Sequence, residues 1–348
     1  MNQRSRFRSF LWFLIGVCYF YVAREIAQRV ALGLSSGVWL ELVNRIVLLF
    51  LLIAGYAGMA YAGQSQRTPI KLMGLALRSG WRREVGLGAA LGWGGMVACV
   101  LPIALAGGLV ITFFTGWAQI PLLVLDVAIL AIAALAEEVA FRGYPFQRLI
   151  EAFGPVPATI VLSALFALIH LGNPGSTAAS TFVTFLAGCL LSLAWLRTRA
   201  LWVGWGFHLG WNVSMGILFG LPISGLTNFS PVILSNTIGP AWLTGGDYGP
   251  EGSAICVLVM FALLIVLTVT TSELKFRYAQ PVIVPGGFPV DLDAMTKRQH
   301  EAAMGTAQPA APPLVQIGGI APAPQATAPA EPLPEKTESP APNPSPES

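Results

Sequence analysis

Several apolar stretches in this 348-residue chain reach or exceed about 20 residues, the length a helix needs to cross a hydrocarbon core of roughly 30 Å. Hydrophobic residues make up 55% of the sequence and charged residues only 11%, against roughly a quarter charged in ordinary soluble domains. Water is therefore not the main solvent. The expected fold class is all-α, a polytopic transmembrane helical bundle.

Eight candidate spans are read at 9–27, 38–62, 86–113, 121–150, 155–171, 178–196, 200–220 and 253–271. The basic start at Arg4, Arg6 and Arg8 resembles a signal peptide, but no small-x-small site closes the run near Tyr19 to Arg24, so the first span is expected to be retained. With the N-terminus in the cytoplasm, the inside segments carry fourteen Lys and Arg residues, from Arg4 to Arg277, and the outside segments only Arg24 and Arg29. That asymmetry is the positive-inside pattern, and it repeats at each inside loop. Both termini are expected to be cytoplasmic, in a multi-pass protein of a bacterial inner membrane. The cysteines Cys18, Cys99, Cys189 and Cys256 all lie in apolar runs without paired spacing, which suggests neither a disulfide framework nor a C-x-x-C metal site.

Three regions follow: an N-terminal transmembrane part (1–119), a motif-bearing membrane core (120–275) and a Pro- and Ala-rich tail (276–348). The tail has no periodic apolar face and is expected to be disordered. The Gly-, Pro-, Ser- and Asn-rich loop 221–252 has no readable role. No internal repeat is evident, which argues against an inverted-repeat transporter. A net charge of +3 is too small to imply a nucleic-acid partner.

The chemistry-bearing residues interrupt the apolar runs. In the fourth stands Glu137-Glu138-Val139-Ala140-Phe141-Arg142-Gly143. A charge near the bilayer centre costs on the order of 3 kcal/mol, so such groups need partners or a wet cavity. Glu138 and Arg142 are i,i+4 neighbours able to pair, whereas Glu137 projects about 100° away and is left available. The plainer alternative is that the trio marks the cytoplasmic end of a span. His170 closes the fifth run after Phe166, and His208 and Asn212 share one face of the seventh. Read singly, His170 is a satisfied core or interfacial histidine, His208 and Asn212 are interhelical hydrogen-bonding groups, and Gly206-x-x-x-Gly210 is packing.

Taken together and in this order, E-E-x-x-x-R, F-x-x-x-H and H-x-x-x-N on separate membrane helices resemble the CAAX prenyl protease and bacteriocin-processing family of intramembrane proteases, over roughly residues 120–220. The resemblance implies that Glu137 and His170 activate a water for attack on a peptide carbonyl. It further implies that His208 and Asn212 stabilise the oxyanion, and that Glu138 and Arg142 hold the geometry. The implied partners are membrane lipid and a peptide or lipidated-peptide substrate. The chemistry is consistent: a carboxylate withdrawn from water is a competent general base near neutral pH, and imidazole N–H and amide groups are suitable oxyanion donors.

Neither Gly-x-Ser-x-Gly nor H-E-x-x-H occurs, so a serine acyl-enzyme is not expected. Glu137, His170 and His208 could form a three-ligand open site for a divalent metal such as zinc, which leaves metal dependence open. A non-catalytic scaffold or bacteriocin-immunity protein of the same family, and a transporter, stand as alternatives. Simple spans put Glu137 toward the cytoplasmic side and His170 at an outer end; if 121–152 is one long helix and the fifth span is short, the two can converge at mid-depth.

Overall fold

The interior is small and the outside large, the inverse of a water-soluble helix bundle. In a computed structural model that describes residues 3–64, 68–113, 116–227 and 229–271, with the backbone of 282–283 and 289–290, the first helix, α1 (Gln3–Leu34), turns Ala23, Ala27 and Ala31 inward. Ala residues at i,i+4 spacing let a neighbouring helix approach closely. Large apolar residues such as Phe50, Leu258, Ile265 and Val269 stay exposed, the surface that lipid would cover. The expected helical membrane bundle is observed.

Helix α2 (Leu40–Gln64) returns antiparallel to α1 after a 3₁₀ turn at Gly37–Trp39. Two tyrosines pin the pair: Tyr19 donates to the Leu51 carbonyl at 2.6 Å and Tyr56 to the Gly16 carbonyl at 3.2 Å. A short α3 (Pro69–Leu72) leads into α4 (Trp81–Leu105), β1 (Leu109–Phe113) and α5 (Ile120–Arg142). Then come α6 (Tyr144–Phe153), α7 (Pro155–His170), α8 (Ala178–Thr198) and α9 (Trp202–Asn212), the last continued by a π-helical turn at Val213–Leu218. The remainder comprises β2 (Ile233–Thr237), α10 (Ala241–Thr244) and α11 (Ala254–Thr270). One buried cluster gathers around Tyr56, Tyr144 and Phe146, and a second around Met96, Phe207, Trp211 and Met260. Helix α5 supplies both, with Val139 and Phe141 in the first and Leu130 in the second.

Among the described residues, five helical stretches are long and apolar enough to cross a membrane, with α7 and α11 shorter. Several expected span limits change. The third run, 86–113, is helical only to Leu105. Gly107 then adopts φ +73, the left-handed conformation that ends helices, and Leu109–Phe113 becomes a strand paired with β2 from the loop 221–252. The fourth run, 121–150, is two helices divided at Gly143. A Cβ there would meet the Val139 carbonyl at 2.4 Å, and Pro145 sits in the first turn of α6, where a missing N–H costs nothing. In the seventh run, 200–220, regular α-helix spans 11 residues before the π turn.

Residues 3–271 fall within one compact unit, Met1–Thr296. Most of the expected tail, 276–348, lies outside the described residues. In its described part Val282 pairs with Val290 and Ile283 with Pro289 as a minimal antiparallel ladder.

Candidate functional site

The break at Gly143 leaves Glu137, Glu138 and Arg142 in the last turns of α5. The i,i+4 pair forms as the spacing predicts: Arg142 Nη1 donates to Glu138 Oε1 at 3.3 Å, with both side chains 0% exposed. Arg142 Nη2 also donates to the Gly188 carbonyl of α8 at 3.2 Å, and its guanidinium lies 4.7 Å from the centre of the Phe166 ring on α7. Glu138 Oε1 in turn accepts from His208 Nδ1 on α9 at 3.2 Å. One buried ion pair therefore joins four helices.

Glu137 points elsewhere, with its side chain 29% exposed and Oε2 3.7 Å from His208 Nε2. That separation exceeds a hydrogen bond, and among the described residues Glu137 Oε2 has no hydrogen-bond partner. His208 thus stands between the two adjacent carboxylates, one nitrogen toward each. On α7, His170 Nδ1 lies 2.7 Å from the Phe166 carbonyl of its own helix. A carbonyl oxygen only accepts, so Nδ1 carries a proton, and in the neutral imidazole Nε2 is then the nitrogen with the lone pair. The Phe166 ring lies 4.6 Å from the His170 ring and 6.3 Å from that of His208, centre to centre.

Glu137, His170, His208 and Asn212 all line one cavity of about 660 Å³. The structure thereby brings together groups that straight spans leave at different depths, although 121–152 is not one helix. Glu138 and Arg142 are not among the residues that line the cavity. Glu137, His170 and His208 do not close on a common point: among the described residues no three His, Cys, Asp or Glu groups are placed to hold a metal ion.

The position of His208 and Asn212 is set by glycine. A Cβ on Gly206 would stand 2.3 Å from the Val85 carbonyl of α4, and one on Gly210 2.5 Å from that of Ala89. Reciprocally, a Cβ on Gly88 or Gly92 of α4 would meet the Val203 or Phe207 carbonyl at 2.1 or 2.3 Å. Backbone lies on backbone along this seam, and no side chain larger than hydrogen fits between. Gly206-x-x-x-Gly210 is indeed a packing motif.

Polar residues of the cavity wall, among them Asp126, Asn173, Ser224, Ser230 and Glu251, escaped the sequence reading. Asp126 of α5 accepts from the Ser230 N–H at 2.7 Å. Glu251 accepts from Trp211 Nε1 at 2.9 Å and from the N–H and hydroxyl of Ser224 at 2.9 and 2.7 Å. Asn173 Nδ2 donates to the Ser224 carbonyl at 3.0 Å. The segment 221–252 thus forms part of the cavity wall through Ser224, Ser230 and Glu251. Asp126, a carboxylate within an apolar run, carried a signal of its own; Ser224 and Glu251 did not.

Residues 117–214 match a family model described as type II CAAX prenyl endopeptidase, Rce1-like. That segment holds every motif residue named above, and the family is one of proteases. No curated protein and no solved structure matches the chain.

Proposed function

We propose that this chain, whose segment 117–214 matches the model of the type II CAAX prenyl endopeptidase family, is an intramembrane endopeptidase hydrolysing a peptide bond close to the membrane. The observation that carries the reading is the shared cavity: Glu137, His170, His208 and Asn212, from three helices, line one space. Polar groups are costly in such helices, and convergence on one reacting carbonyl accounts for all four.

In the proposed mechanism a water held by Glu137 and by Nε2 of a neutral His170 gives up a proton to the Glu137 carboxylate as its oxygen bonds to the carbonyl carbon. His208 Nε2–H and the Asn212 amide donate to the developing oxyanion, each worth about 3 kcal/mol when preorganised. When the tetrahedral intermediate collapses, the C–N bond breaks and the proton passes to the leaving amine. His208 Nδ1 is already directed at Glu138, so donation from Nε2 requires a doubly protonated ring. With that ring, two ionised glutamates and Arg142, the cluster sums to zero charge, so no charge in it lacks a counter-charge. Lipid surrounds the bundle, and a lipid-modified peptide is the substrate class that the family name carries. The basic-residue asymmetry supports cytoplasmic placement of the N-terminus and of the chain after α11, which reporter fusions on the two sides of the membrane check.

The test is a quenched-fluorescence peptide ending in a prenylated Cys-aliphatic-aliphatic-X sequence, given to purified protein with and without a chelator. Glu137→Ala, His170→Ala and His208→Ala should each abolish most turnover at matched melting temperature. Full activity in Glu137→Ala ends the proposal. Inertness of the wild type would favour the scaffold or immunity alternative, and loss on chelation would assign the reaction a metal.

A further inference from the structure

Strand β2 is paired on one side only. Ile238 N–H donates to the Gly108 carbonyl at 2.9 Å, which makes 108/238 a hydrogen-bonded pair in the register that sets Leu109 opposite Thr237 and Phe113 opposite Ile233. In an antiparallel ladder such pairs alternate. Val110 with Asn236 and Thr112 with Leu234 are therefore the bonded pairs, and Ile233, Ser235 and Thr237 turn their N–H and C=O groups away from β1. Gly220 closes off the first of these, since the Ile233 carbonyl lies where a Gly220 side chain would be. At Ser235 and Thr237, among the described residues, no other backbone segment takes up the outward groups.

That open edge runs along a groove. Leu234, Ser235, Asn236 and Thr237 line, in succession, a second cavity of about 620 Å³, whose opposite side comes from Gly216 to Thr227. Ser235 is buried, and a buried backbone donor and acceptor without partners is a costly arrangement that a ligand relieves. The ligand chemistry is specified by the wall: alternating main-chain donors and acceptors at strand spacing match an extended peptide and little else. Phe229 lines both this groove and the catalytic cavity, so the two spaces adjoin. Among the described residues Asp247 is the single ionisable group in the groove lining, which favours a peptide that is neutral or basic where it passes.

We infer that the free edge of β2 at Ser235 and Thr237 binds the peptide substrate as an added third strand, which then passes Phe229 to reach Glu137 and His170. The inference rests on the endopeptidase reading for the identity of the peptide, but strand addition itself needs no catalysis.

Two measurements separate them. A fluorescein-labelled ten-residue peptide ending in a farnesylated Cys-aliphatic-aliphatic-X sequence is titrated against Glu137→Gln, alongside versions N-methylated at each backbone position in turn. Strand addition requires period two: methylation at alternate positions weakens binding about fivefold or more, as expected for one lost hydrogen bond, and the positions between are silent. With wild-type protein the same alternate positions raise KM and leave kcat. Ser235→Pro removes an N–H that lies outside the β1–β2 ladder, so it should raise KM with kcat retained, and Asp247→Asn should erode a preference for Lys over Glu upstream. Cleavage with uniform or aperiodic methylation effects overturns the groove assignment and leaves the protease reading standing. Periodic binding without cleavage does the reverse, and absence of both binding and cleavage removes both. The methylation series uses the protein without change to the groove, so it decides the matter even where Ser235→Pro fails to fold.

Discussion

The Arg142 guanidinium lies 3.3 Å from the Glu138 carboxylate one turn earlier on the same helix, and neither side chain has any exposed surface. Adjacent to it in sequence, Glu137 faces the cavity. Two neighbouring glutamates thus have opposite surroundings: one is enclosed by Arg142 and His208, the other is open to whatever enters. Their substitutions should separate accordingly.

Glu138→Gln should destabilise the protein more than Glu137→Gln. It leaves the buried Arg142 charge without its counterion, and breaking a buried pair by removing one partner costs about 3–5 kcal/mol. Glu137→Gln removes a partly exposed carboxylate with no hydrogen bond at Oε2 and should melt close to wild type. Thermal melts of both variants in one detergent decide it, and equal melting temperatures would mean that the pair does not hold the helices.

Glycine-to-alanine exchanges along α4 and α9 should fall into two classes. Gly206→Ala and Gly88→Ala place a methyl on facing backbone carbonyls, so the helices must part, at a cost of about 1–3 kcal/mol and with displacement of His208 and Asn212. Gly86→Ala and Gly94→Ala, on the same α4 but with nothing within 4 Å of the new methyl, should leave stability and turnover unchanged. Melting temperature and kcat for the four proteins check this.

If Glu137 and His170 share one water, Glu137→Ala combined with His170→Ala should be little worse than either alone, because groups that act as a unit are non-additive. Asn212→Ala should cost about 100-fold or more, the loss expected for one oxyanion donor. Single-turnover rates of the three single variants and the double variant give the comparison; independent, multiplying losses at Glu137 and His170 would show that they do not act on the same water.

Glu251 should act through the roof of the cavity rather than on the reacting bond. Its three hydrogen bonds tie Trp211 of α9 to Ser224, and a hydrogen bond to a charged group contributes roughly 1.5–3 kcal/mol. Glu251→Ala should raise KM and lower the melting temperature. Glu251→Gln keeps one accepting oxygen and should recover part of both, whereas an unchanged KM in Glu251→Ala would remove Ser224 from the binding wall.

Local spacing was enough to read the Glu138–Arg142 pair, the opposite heading of Glu137, the common face of His208 and Asn212, and the packing role of Gly206 and Gly210. Each depends only on helical periodicity. Other features depend on contacts far apart in the chain. Leu109–Phe113 is apolar enough to pass as the end of a span and becomes a strand because Ile233–Thr237 comes to meet it. Ser224 and Glu251 carry no periodic signal, and reach the cavity only through a loop whose path is set by Trp211 and Asn173. The division at Gly143 was legible in principle, since Gly143-Tyr144-Pro145 punctuates a helix, but continuous hydrophobicity on both sides concealed it.

The seam of bare backbone between α4 and α9 reaches beyond the segment that the family match covers. That match begins at residue 117, yet α9, which carries two of the four cavity-facing motif residues, rests on Gly88 and Gly92 of a helix that ends at Leu105. A gene fragment cut at the motif boundaries would encode the motif-bearing cavity wall without its footing. The first four helices and the remainder, made as separate polypeptides in one membrane, hold complementary halves of that contact, and restoring activity would require both.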